Sequence, residues 1–79
     1  MFYSGLIVTC KPGQFAEVGQ ALKDKLVEVH QSDASGCRYV VVLEEASVED
    51  ETERFRSIRS LPGVADVSLV VHRSEPDAD

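Results

Sequence analysis

The sequence predicts an α+β fold, a ferredoxin-like βαββαβ two-layer sandwich with a four-stranded antiparallel sheet and two helices on one face. Three observations predict it. Four short apolar or alternating runs are separated by two helix-period segments, in the order strand, helix, strand, strand, helix, strand. Turn clusters stand between them: Lys11-Pro12-Gly13, Ser32-Asp33-Ala34-Ser35-Gly36 and Leu61-Pro62-Gly63. The lengths also agree, because a helix of about 13 residues and a strand of six or seven both span roughly 20 Å.

Tyr3 to Cys10 is β-branched, almost uncharged and apolar on both faces, as a central strand requires. Gln14 to Asp24 reads as a helix, with Phe15, Val18 and Leu22 on one stripe and Pro12 suited to its first turn. Gly19 weakens that helix by ~1 kcal/mol relative to alanine. Leu26 to Gln31 alternates, with Val27 and Val29 against Glu28 and His30, which marks a half-buried edge strand. Arg38 to Glu44 completes a hairpin and is apolar enough for a central place. Ser47-Val48-Glu49-Asp50 reads as a capped helix start, and Glu49-Asp50-Glu51 as a solvated acidic run that complements the helix dipole. Val48, Phe55, Ile58 and Leu61 form the expected buried stripe of this helix. Arg54, Arg56 and Arg59 fall toward its negative end. Val64 to His72 is the last strand. Residues 1–73 form one domain, and residues 74–79 read as a short, acidic, flexible tail.

At 79 residues the chain holds one small core and no deep pocket. Fourteen acidic residues against eight basic ones give a net charge of −6, which disfavours nucleic acid and suits a basic partner. Cys10 and Cys37 are far apart in sequence and form no C-x-x-C pair, so neither a zinc pair nor a redox motif is indicated. No apolar run is long enough to insert in a membrane. No basic segment precedes the first apolar run, so a cleaved secretory signal is not expected. The expected compartment is the cytoplasm, with reduced thiols.

In this topology the first and third strands are central, and one sheet face carries no helix. Alternation assigns Leu6, Val8, Val27, Val29, Tyr39, Val41, Leu43, Val67, Leu69 and Val71 to the helix side. It assigns Gly5, Ile7, Thr9, Glu28, His30, Arg38, Val40, Val42, Glu44, Ser68, Val70 and His72 to the open side. Ile7, Val40, Val42 and Val70 then make an apolar centre, rimmed by Glu28, His30, Glu44 and His72. Such a patch on a small domain meets a partner or a second copy of itself, so the chain is expected as a monomer or weak homodimer. The two histidines lie on opposite edge strands, roughly 14 Å apart at the usual strand spacing, too far to share a metal. No catalytic residue, metal site or cofactor is expected. The open central positions are aliphatic, where an RNA-binding sheet carries aromatic platforms.

Several stretches carry a family likeness. They are Ser4-Gly5-Leu6-Ile7-Val8, Val40-Val41-Val42-Leu43-Glu44, Glu51-Thr52, Pro62-Gly63-Val64, Val67-Ser68-Leu69-Val70 and His72. In this order and spacing, over about residues 3 to 73, the chain resembles the NapD family, the cytoplasmic chaperones of the periplasmic nitrate reductase catalytic subunit. It departs at Lys25-Leu26, where the family often has a Pro-Gly turn, and at Val71, where it often has an aromatic residue. The resemblance implies a protein without enzyme activity. It implies binding of the twin-arginine (Tat) signal peptide of the nitrate reductase precursor, with export delayed until the molybdenum cofactor is inserted. The residues expected to bind that peptide are Ile7, Thr9, Glu28, His30, Val40, Val42, Glu44, Ser68, Val70 and His72. The alternatives in this topology are a small-ligand regulatory domain of the ACT type and a small cofactor-free monooxygenase. The first usually accompanies a catalytic or DNA-binding domain, and the second needs an enclosed pocket.

Overall fold

The computed structural model describes residues 2–74, and for 71–74 the backbone alone. Its elements are β1 (Phe2–Cys10), α1 (Phe15–Asp24), β2 (Glu28–Asp33), β3 (Arg38–Glu45), α2 (Val48–Arg59) and β4 (Val64–Ser74). The sheet order is β2-β3-β1-β4, with every neighbouring pair antiparallel, so the predicted βαββαβ arrangement and its two central strands hold. β4 runs through Ser74, which pairs with Phe2; the expected tail beyond it lies outside the described residues.

One core joins the helices to one sheet face. Leu6, Val8 and Cys10 of β1 and Tyr39, Val41 and Leu43 of β3 alternate into it, against Val18 and Leu22 of α1 and Ile58 of α2. Tyr39 ties α1 down. Its ring stacks on Phe15 at 4.5 Å between centroids, and its hydroxyl donates to the Phe15 carbonyl at 2.7 Å. Gly19 is the residue that lets Tyr39 in, since a Cβ there would lie 2.9 Å from Tyr39 Cζ. The helix thus contains a glycine for close packing, at a cost in propensity.

Pro12 does not open α1. With Gly13, at φ 81°, it forms a turn ahead of Gln14, where the chain reverses beside Gly63 and the Lys11 amide donates to the Gly63 carbonyl at 2.7 Å. The other end of α1 also differs from expectation. The alternation places Leu26 at the start of a strand, but the structure puts it at φ 60° and β2 begins two residues later, at Glu28. Leu26 N–H donates to the Lys23 carbonyl at 3.0 Å and Val27 N–H to the Leu22 carbonyl at 3.1 Å. This is the Schellman closure of a helix, in which the left-handed position is usually glycine. The Leu26 side chain is 87 % exposed.

Ser47 caps α2 as predicted, accepting from the Asp50 amide at 3.1 Å. The buried stripe is different. Val48 is exposed, and Glu51, Phe55 and Ile58, at i, i+4 and i+7, face the sheet. Glu51, expected in solvent, is buried because Ser4 on β1 is buried beneath it and donates its hydroxyl to the carboxylate. Arg54 Nε lies 3.3 Å from Glu45 and holds the helix to the end of β3.

Candidate functional site

The uncovered face is built from four cross-strand rows. Gln31, Val40, Ile7 and Ser68 form one, and Asp33, Arg38, Thr9 and Asp66 the next toward the hairpin. On the other side lie Glu28, Val42, Gly5 and Val71, followed by Glu44, Tyr3 and Arg73. Ile7, Val40 and Val42 are half-buried at the centre of this face, as expected of apolar side chains on a sheet without a covering layer.

Two register shifts alter the expected edges. In β2 the pairing passes from Val29–Val41 to Gln31–Val40, so His30 is the extra residue of a bulge and Gln31 takes the place beside Val40. In β4 it passes from Leu6–Leu69 to Gly5–Val71, and Val70 is the extra residue. Beyond Val70 the parity of β4 reverses. Val71, expected on the helix side, pairs with Gly5 of the open row, and His72, expected on the open side, pairs with Ser4 of the buried row. The side chains of both lie outside the described residues. Val70 and Leu69 are both exposed at this edge, and Val29, assigned to the helix side, stays 39 % exposed on the other. A further shift near Cys10 leaves Ala65 between the pairs Thr9–Asp66 and Cys10–Val64.

The carboxylates of this face come from different strands. Glu28, Glu44 and Asp66 are exposed around the apolar centre, each on its own strand. Asp33 is engaged: Oδ1 accepts from Ser35 Oγ at 2.8 Å and from the Gly36 amide at 3.0 Å, and Oδ2 from Arg38 at 3.1 Å. The Ser35 bond, then the Gly36 amide and Arg38, pull its carboxyl down to about 2. Arg38, a basic group on this face, is thereby paired locally. An open groove of about 260 Å³ runs beside this pair, lined by Ile7, Gln31, Ser32, Asp33, Arg38 and Val40.

The expected residues Ile7, Thr9, Glu28, Val40, Val42, Glu44 and Ser68 therefore share one face, whereas His30 and Val70 sit in edge bulges. Gln31, Asp33 and Asp66 belong to the same face and were not expected there. Gln31 follows from the bulge, which the alternation hides. Asp66 was signalled by its spacing of two from Ser68, whose hydroxyl reaches Asp66 Oδ2 at 3.4 Å. A second cleft, about 200 Å³, lies under α2 among Ser4, Leu6, Leu43, Glu51, Thr52, Phe55 and Leu69. Among the described residues no cluster of three or more histidine, cysteine or acidic groups could hold a metal ion. Among the same residues no helix is long and apolar enough to cross a membrane.

The described residues of the face present carboxylate acceptors around apolar surface. An apolar centre with carboxylates at its margin is chemically complementary to an apolar segment flanked by cations.

The model of the NapD protein family matches residues 3–76. The solution structure of NapD from E. coli, described as a Tat proofreading chaperone, superposes with a TM-score of 0.81 at 29 % identity, covering 99 % of this chain and 84 % of that one. No curated protein matches the chain significantly.

Proposed function

The chain belongs to the NapD family, and from that premise we propose that it is a chaperone which binds a Tat signal peptide on the uncovered face of its sheet. The cargo is the twin-arginine signal peptide of the periplasmic nitrate reductase catalytic subunit precursor. Binding holds back export until the molybdenum cofactor is in place. The chaperone acts in the cytoplasm, carries no cofactor and performs no catalysis.

The observation that carries this reading is the composition of the open face, an aliphatic centre at Ile7, Val40 and Val42 bordered by Glu28, Glu44 and Asp66. A twin-arginine signal places a basic segment beside an apolar one. Burial of the apolar segment on the centre supplies most of the affinity, and charge-assisted arginine–carboxylate bonds fix its direction. The Asp33–Arg38 pair offsets one cation that would otherwise repel the peptide.

Calorimetric titration with a synthetic twin-arginine peptide tests the proposal, beside a peptide with both arginines replaced by glutamine. Saturable binding is expected, weaker for the control. The pair Glu28→Lys and Glu44→Lys should weaken it at least tenfold, corresponding to about 1.4 kcal/mol. Equal binding by that variant and the parent would remove the charged rim from the mechanism, and absence of binding by the parent would remove the peptide.

A further inference from the structure

Two cysteines separated by a helix and a strand in the sequence meet at one end of the sheet. β1 and β3 pair as far as Thr9 and Arg38, and the next residues outward are Cys10 and Cys37. The Cys10 amide donates to the Cys37 carbonyl at 2.8 Å, which makes them direct cross-strand neighbours. Hydrogen-bonded antiparallel neighbours stand about 5.5 Å apart at Cα, inside the range that a disulfide spans. Both side chains lie on the helix side: Cys10 is buried in the core, and Cys37 packs half-buried against it. The Cys37 thiol donates to the Lys11 carbonyl at 3.5 Å, just past Cys10 and ahead of α1. Cys37 also holds a positive φ of 58°, rare for a side-chain-bearing residue.

We propose that Cys10 and Cys37 are a redox-reactive pair that closes to an intramolecular disulfide with a small-molecule disulfide such as oxidised glutathione. Cys37, the more accessible, opens the reaction. Its thiolate attacks one glutathione sulfur, the glutathione S–S bond breaks, and the first glutathione leaves as a thiolate that takes up the proton Cys37 lost. Cys10 then gives up its proton and attacks Cys37 Sγ. The mixed disulfide breaks, and the second glutathione departs with that proton. Two protein thiols are oxidised and one glutathione disulfide is reduced to two thiols. The division of roles agrees with the surroundings: burial, with Cys37 alongside, pushes the Cys10 thiol up to about 11. Cys10 is thus a poor first nucleophile and is well placed as the second. The bond ties the end of β1 to the β2–β3 hairpin and encloses α1 and β2 in one covalent loop.

The test uses the full chain, incubated with oxidised glutathione, quenched with iodoacetamide and weighed intact. The expected product is monomeric, lighter by two hydrogens and free of both glutathione and alkyl groups. Its melting temperature should lie ~10 °C higher than that of the reduced form and return with dithiothreitol. Cys10→Ser should stop at a stable glutathione adduct on Cys37, and Cys37→Ser should react far more slowly than either. A parent protein that halts at the adduct, links only between molecules, or reacts no faster than Cys37→Ser would overturn the proposal.

Discussion

Leu26 occupies the left-handed position that closes α1, and replacing it isolates the conformational cost of that position. A non-glycine residue in this region costs roughly 1–2 kcal/mol. Glycine removes the cost but restores about 0.4–1 kcal/mol of unfolded-chain entropy. With 87 % of the Leu26 side chain exposed, its loss removes no more than ~0.3 kcal/mol of burial. Leu26→Gly should therefore stabilise the fold by ~0.5 kcal/mol, or ~3 °C in melting temperature. Leu26→Ala keeps the strained φ and loses the same small contact, so it should be neutral or slightly worse. Urea titration followed by circular dichroism measures both: the midpoint should rise for glycine at constant m-value and not for alanine. Alanine equal to or better than glycine would show that the Schellman closure does not impose the strain that φ 60° implies.

Gly19→Ala should destabilise by ~1–2 kcal/mol in chemical denaturation, despite the higher helix propensity of alanine, because the new methyl must displace Tyr39. Phe15–Tyr39 stacking should be disturbed with it, readable in near-UV circular dichroism. Ser47→Ala should cost about 1 kcal/mol through loss of the α2 cap, and Ser47→Asp should restore it. The Asp33 carboxyl falls from 3.8 to about 2, so its contribution to stability is present above its unfolded value and lost as pH drops from about 4 to about 2. Unfolding titrations across that window should show a shallower fall for Asp33→Asn than for the parent.

Much of this fold was legible because local signals agreed with the tertiary arrangement. β3 is apolar on both faces and lies at the centre of the sheet; Ser47 stands at the start of α2 and accepts the Asp50 amide. The errors have physical causes. Val27 and Val29 alternate as in a strand, but the Schellman bonds of α1 reach Val27, so the strand cannot begin before Glu28. Glu51 reads as a solvated carboxylate until Ser4, distant in sequence, is seen to supply a buried hydroxyl. The open face was legible at its centre, where Ile7, Val40 and Val42 keep strict period two. It was not legible at its edges, because a bulge adds one residue without changing the residue pattern, and His30 and Val70 carry no mark of being extra. The Cys10–Cys37 contact was hidden for a related reason: sequence separation conceals cross-strand pairing.

The bulges at His30 and Val70 fall on the two outer strands, one on each side of the sheet. An outer strand with regular pairing presents an unbroken ladder of amides and carbonyls on which another chain can nucleate. Each bulge twists its strand and interrupts that ladder part-way along. The molecule can therefore leave an apolar sheet face uncovered without offering its rims as a template for fibril growth.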